Sequence, residues 1–160
     1  MLVERIYHPD NKPVMRPLST TRPTASAHER QVFKILLVED NRPLREALGR
    51  SLQAHFPNLT LIEAARVQEA RAKVASMQPD LMFVDMRLPD GNGLDFTRSM
   101  RTAGNKSVII ILTSHDLPEY REAAINSGAD HFMAKGSVGF DDIVAVVESI
   151  LASRFAGHPC

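Results

Sequence analysis

No stretch of this 160-residue sequence is apolar for long enough to cross a bilayer as a helix. The longest unbroken apolar runs, Val108–Leu112 and Ile143–Val147, fall far short of the ~20 residues such a span needs. Cysteine is almost absent. Cys160 alone cannot close an internal disulfide, which suits a reducing compartment, and the expected location is cytoplasmic. The N-terminus lacks the apolar core of a secretory signal, and Glu4, Asp10 and Glu29 interrupt its basic residues, unlike a transit peptide. Neither sign of charge is in excess, with 19 Lys+Arg against 19 Asp+Glu. That balance excludes broad electrostatic adhesion to DNA or to an anionic membrane, while leaving local patches open.

What is present divides unevenly along the chain. Residues 1–30 hold Pro9, Pro13, Pro17 and Pro23 and no apolar periodicity. Five basic residues against three acidic ones give this segment +2 and leave −2 for the rest. Such a segment buries too little apolar surface to offset its ordering entropy, so a flexible tail is expected. At roughly 100–200 residues per domain, the remainder is one domain, expected over 31–155, with a C-terminal tail at 156–160.

From Val32 onward, short β-branched runs alternate with helical periodicity five times. The runs are Phe33–Val38, Leu59–Ile62, Leu81–Val84, Val108–Leu112 and the weaker His131–Ala134. Val67, Ala70, Val74 and Met77 follow the second run at helical spacing, and Pro79 and Asp80 stop that helix. Ile143, Val146, Val147, Ile150 and Leu151 form the apolar stripe of the last helix. The first and fourth runs are apolar almost throughout, as expected of strands covered on both faces. The prediction is an α/β, (βα)5 doubly wound fold: a parallel five-stranded sheet between two helical layers. Ligand sites in such sheets lie at the carboxyl ends of the strands.

Those ends carry an unusual set of side chains. Glu39 and Asp40 close the first run, Asp85 the third, Thr113 the fourth and Lys135 the fifth. Crowded carboxylates raise one another's pKa unless a cation intervenes, and Mg2+ is the natural occupant of an all-oxygen site. With the charge so balanced, one carboxylate can attack an incoming phosphoryl group, whose oxygens a hydroxyl and an ammonium can hold. Each residue alone also has an ordinary structural role. Asp40 precedes a helix opened by Pro43 and suits an N-cap, Asp85 suits a turn, and Thr113 and Lys135 are unremarkable at a strand end and a surface. Their meeting on one edge is what favours chemistry.

Here the sequence resembles the receiver domain of bacterial two-component response regulators, over roughly Lys34 to Leu151. The resemblance rests on the Glu39–Asp40 pair, on Asp85, Leu88, Pro89 and Gly93 in D-x-x-L-P-x-x-x-G, on LTS, on AKGS and on Gly128–Ala129–Asp130. The stretch from Gly128 to Ser137 looks closest to receivers that carry a helix-turn-helix domain in other proteins. The resemblance implies a flavodoxin-like strand order 2-1-3-4-5. It implies Asp85 as phosphoacceptor, with Mg2+ held by Asp40, Asp85, the Arg87 backbone carbonyl and, through water, Glu39. It further implies that Thr113 and Lys135 bind the phosphoryl group and that Phe132 takes the switch-aromatic position, where the family often has Tyr. Lacking a hydroxyl, Phe132 would be positioned by packing alone. Arg87 and His115, two residues after Asp85 and Thr113, stand where the family tunes phosphoryl lifetime. His115 as a plain loop histidine stays open.

The implied partners are a sensor histidine kinase or phosphotransfer protein upstream and a protein partner on the 117–153 face downstream. No direct nucleic-acid binding by this chain and no membrane contact are expected, and a homodimer is left open. The protein is expected to be a signalling switch rather than an enzyme, accepting and hydrolysing its own aspartyl phosphate. Residues 156–160 hold no output domain, so the signal is expected to leave through the receiver surface. The alternative is a receiver fragment of a longer DNA-binding transcriptional regulator. A haloacid-dehalogenase-type phosphatase needs an acid/base Asp where Arg87 stands, and a cobalamin module needs a histidine there.

Overall fold

Alternation within each strand divides the apolar side chains between two faces, and both faces are covered. The computed structural model describes residues 32–156. The expected tails at 1–30 and 156–160 lie outside them, except Ala156, which ends the last helix. The elements are β1 (Lys34–Val38), α1 (Arg42–His55), β2 (Thr60–Ala64), α2 (Val67–Met77), β3 (Leu81–Asp85), α3 (Gly93–Thr102), β4 (Val108–Thr113), α4 (Pro118–Asn126), β5 (His131–Ala134) and α5 (Phe140–Ala156). All pairings within the five-stranded sheet are parallel, in the order β2-β1-β3-β4-β5, as the sequence reading expects. A two-residue antiparallel ladder, Arg87–Leu88 with Gly91–Asn92, tightens the loop after β3.

Leu36 and Val38 of β1 and Ile109 and Ile111 of β4 pack with Ala70 of α2, Phe96 and Met100 of α3 and Ala124 of α4. The intervening Ile35, Leu37, Ile110 and Leu112 pack with Leu48 and Leu52 of α1 and Ile143 and Val147 of α5. Each fully buried Leu, Ile or Phe contributes about 1.5–3 kcal/mol of transfer free energy. These two layers cover both faces of the sheet, whose parallel strands bring their carboxyl ends to one edge. Val146, Ile150 and Leu151 cover the second layer from its margin, as the apolar stripe of α5 requires.

Two local expectations change. β2 runs to Ala64 rather than ending at Ile62, although Glu63 interrupts the apolar run. As the edge strand it exposes Glu63, while the Ala64 carbonyl still pairs with the Glu39 N–H at 3.0 Å. Asp40 is not the N-cap of α1. The cap is Asn41, whose side chain accepts from Leu44 N at 3.1 Å, with Pro43 in the first turn.

α2 takes its cap from a different loop. Arg66 at its N-cap makes no side-chain bond, and Asp90 accepts instead from Val67 N at 2.6 Å and Gln68 N at 3.0 Å. The Gln68 N–H, aided by that of Val67 and opposed by desolvation, holds the Asp90 carboxyl below its usual 3.8. A depressed folded value means the stabilisation is complete above pH 3.8 and lost as pH falls through that lower value. Asp90→Ala is expected to lower the melting temperature at neutral pH, with the difference from wild type shrinking below pH 3.8. Thermal melts followed by circular dichroism across that range check it, and a pH-independent difference contradicts it.

Candidate functional site

The sheet register brings the strand-end residues together. Asp85 ends β3 opposite Leu112, and Thr113 ends β4 opposite Ala134, so Lys135 follows directly beside it. The Lys135 N–H donates to the Thr113 carbonyl at 2.7 Å, locking those two residues side by side. From β1 the chain turns through Glu39 and Asp40 into α1. The Asn41 N–H donates to Glu39 Oε1 at 3.0 Å, and the Arg45 guanidinium to the Glu39 carbonyl at 2.6 Å.

The result is a cavity of about 280 Å3 bordered by Glu39, Asp40, Asp85, Arg87, Thr113, His115 and Lys135. Seven of the eight predicted site residues therefore meet in one place. The eighth, Phe132, stands apart from it. Half-buried, it packs against the layer under α4, with the Arg121 guanidinium 5.0 Å from its ring centre. Asn41 and Ser114 also line the cavity. Sequence reasoning gave neither a site role, although Asn41 directly follows the acid pair and Ser114 directly follows Thr113.

Burial grades the charges. Glu39, Asp85 and Thr113 are buried, while Asp40 and Arg87 are exposed at the mouth and His115 is half-buried. The Lys135 ammonium lies 2.5 Å from Glu39 Oε2 and 3.2 Å from Asp85 Oδ2. Burial works to lower its pKa, but contact with the two carboxylates outweighs that and holds it raised. Glu39 is raised as well, chiefly by burial and further by the Asp85 charge, against the opposing pull of Lys135 and the Asn41 N–H. The Arg87 N–H donates to Asp85 Oδ1 at 3.3 Å, and the His115 N–H to Thr113 Oγ1 at 3.3 Å. The His115 ring meets Tyr120 edge-on, with centroids 5.8 Å apart.

One carboxylate oxygen from each of Glu39, Asp40 and Asp85 lies within 4.8 Å of the others. Among the described residues a single ammonium, that of Lys135, faces this trio, so negative charge is left over. Besides its charge contact with Lys135, the buried Glu39 Oε2 has no aligned hydrogen-bond donor among the described residues. An all-oxygen donor set with spare lone pairs and excess negative charge fits a hard dication.

A five-stranded parallel sheet in this order, with an acid cluster at its carboxyl edge facing a hydroxyl and an ammonium, defines the class as a receiver domain. The chain belongs to the response regulator receiver domain family, whose model matches residues 35–148. It is 32% identical over 118 residues to the response regulator MprA of Mycolicibacterium vanbaalenii, covering 74% of this chain and 50% of that protein. It is 42% identical over 103 residues to the swarming motility regulation protein RssB of Serratia marcescens, covering 64% and 46% respectively. A two-component response regulator from Clostridium difficile superposes with a TM-score of 0.69 at 25% identity, over 74% of this chain and 95% of that one. The chain thus spans about half the length of the curated relatives it matches. Among the described residues, no helix is long and apolar enough to cross a membrane.

Proposed function

We propose that this chain is a phosphorylation-gated switch in which Asp85 accepts a phosphoryl group. The observation that carries the reading is the meeting of Asp85, Lys135 and Thr113 with the acid pair Glu39–Asp40 in one cavity. Asp40, Asp85, the Arg87 backbone carbonyl and Glu39 through water would hold Mg2+. Bound there, that ion would offset the crowded carboxylates and the charge developing on the transferred oxygens. An Asp85 carboxylate oxygen attacks phosphorus, the bond to the donor imidazole breaks, and the imidazole leaves with the electron pair and takes up a proton. Lys135 shifts from Glu39 and Asp85 toward the new phosphoryl oxygens, and the Thr113 hydroxyl donates to another. Loss of the phosphoryl group to water at the same site resets the switch.

Inverting a population from 1:99 to 99:1 needs about 5.5 kcal/mol of differential interaction, the scale of a few charge-assisted hydrogen bonds. The readout face is 117–153, where Leu117, Ile125 and Phe140 are exposed apolar side chains. Phe132 lies under this face and moves by repacking, having no hydroxyl to engage. The upstream partner is a sensor histidine kinase or phosphotransfer protein.

Acetyl phosphate with Mg2+ tests the reading. Intact-protein mass spectrometry is expected to show one added phosphoryl group, mapped to Asp85, and no adduct overturns the proposal. His115 narrows the mouth with Tyr120 behind it, so His115→Ala is expected to admit water and shorten the phosphoryl lifetime several-fold without preventing labelling. Arg87→Ala is expected to change the lifetime in the same assay. Half-lives equal to wild type for both variants remove the tuning role.

A second reading, a receiver portion of a longer DNA-binding regulator, is favoured by the half-length coverage of the relatives. A gene reading through past Cys160 into a further domain supports it, and a stop codon there removes it.

A further inference from the structure

We infer that Arg45 is a positioning residue for the acid pair, acting through the Glu39 backbone rather than by contact with a ligand. The inference rests on the reading of the cavity as a Mg2+ site. Helix side chains lean toward the helix N-terminus, so a residue one turn into α1 reaches back over the loop that precedes it. Arg45 does this: its Nη1 donates to the Glu39 carbonyl at 2.6 Å, while its Nε sits 3.5 Å from Glu63 Oε2 on β2. Its side chain is only 14% exposed.

The Glu39–Asn41 turn is restrained from several sides, and the Lys135 ammonium holds the Glu39 side chain. Two of the restraints are backbone bonds in part or whole: the Glu39 N–H to the Ala64 carbonyl, and the Asn41 N–H to Glu39 Oε1. Arg45 adds a bond from its guanidinium to the Glu39 carbonyl, so it holds the backbone where Lys135 holds the side chain. It clamps the peptide between Glu39 and Asp40, whose orientation decides whether both carboxylates converge with Asp85. The extension of β2 past Ile62 matters here, because it brings the Glu63 carboxylate to charge-pair distance of the guanidinium, whose buried Nε has no aligned hydrogen-bond partner among the described residues.

Electrostatics and positioning predict opposite signs, which makes the inference testable. If Arg45 acted only as a nearby positive charge, Arg45→Met would strengthen Mg2+ binding by removing a repulsion. If it positions the acid pair, the same substitution weakens binding, because outer-shell partners of metal ligands are typically worth about 10–100-fold in affinity. Met retains most of the apolar stem and so limits any cavity. Mg2+ alone is titrated into the full chain, with affinity read from amide NMR shifts around Asp40 and Asp85. The expected result is an affinity about tenfold or more below wild type for Arg45→Met, with Arg45→Lys between the two. Val108→Ala, a packing change at the amino-terminal start of β4 and so at the far end of the strands from the cavity, is expected to keep the wild-type affinity and serves as the stability control. Unchanged or stronger binding by Arg45→Met, or a loss no larger than that of Val108→Ala, overturns the inference. Failure of the wild-type chain itself to bind Mg2+ overturns the site reading beneath it, so the two failures are distinguishable.

Discussion

Asp85→Asn is expected to reduce phosphoryl incorporation from acetyl phosphate by at least about a hundredfold, because an amide offers no nucleophilic oxygen anion. The substitution is isosteric, and β3 remains in register with β4 through backbone pairings from Leu81 with Val108 to Asp85 with Leu112, which do not depend on the side chain. The fold is therefore expected to persist. Removing one of three crowded carboxylates relieves repulsion, while the contact of Asp85 with Lys135 at 3.2 Å loses its charge. These effects oppose each other, so melting temperature is expected to change little while labelling disappears. Phosphoryl incorporation followed by mass spectrometry, beside a thermal melt, separates the two readouts. Labelling at the wild-type rate would place the acceptor elsewhere and refute the assignment of Asp85.

Gly93→Ala is expected to damage both stability and phosphorylation. A Cβ on Gly93 would stand 2.1 Å from the Asp85 carbonyl oxygen and 3.0 Å from both the Asp85 carbonyl carbon and Val84 Cγ1. Nothing flexible absorbs that clash, because the obstacle is backbone at the end of a fully buried strand. The Gly93 N–H also donates to the Met86 carbonyl at 2.9 Å, tying the start of α3 to the same loop. Separating them costs on the order of 1–3 kcal/mol or more as overpacking. It also displaces the Asp85 carboxylate, and a shift of about 1 Å at a reacting group can cost roughly a hundredfold in rate. Gly136→Ala is the matched control. It adjoins Lys135, yet a Cβ there meets nothing within 4 Å. Urea denaturation and acetyl phosphate labelling of both variants check the contrast, and equal behaviour of the pair refutes it.

The two predictions differ in how far the chain alone reveals them. Asp85, Glu39, Asp40, Thr113 and Lys135 are visible as polar residues that terminate apolar runs, and a parallel sheet assembles such termini on one edge. Gly93 is visible only as part of a motif. Its necessity is a distance between the first turn of α3 and the last peptide of β3, which no local pattern encodes. Asp40 and Asn41 are equally good caps by composition. The turn geometry gives the role to Asn41 and leaves Asp40 at the cavity mouth. Arg45 looks like any charged helix residue until the extended β2 brings Glu63 up behind it. Phe132 shares a strand with Met133, which faces the α1/α5 layer, and alternation turns Phe132 toward the α4 side and away from the cavity.

Hydrophobic periodicity was enough to specify five strands, five helices and the edge on which chemistry gathers. Those features follow from local propensity and from the need to bury alternate faces, both of which are written residue by residue. The charge state of the site was not. Whether Glu39 is buried beside Asp85, whether Lys135 bridges them, and how close Gly93 lies to the Asp85 carbonyl depend on contacts between residues far apart in sequence. Register and side-chain packing set those contacts, and desolvation then sets their electrostatics.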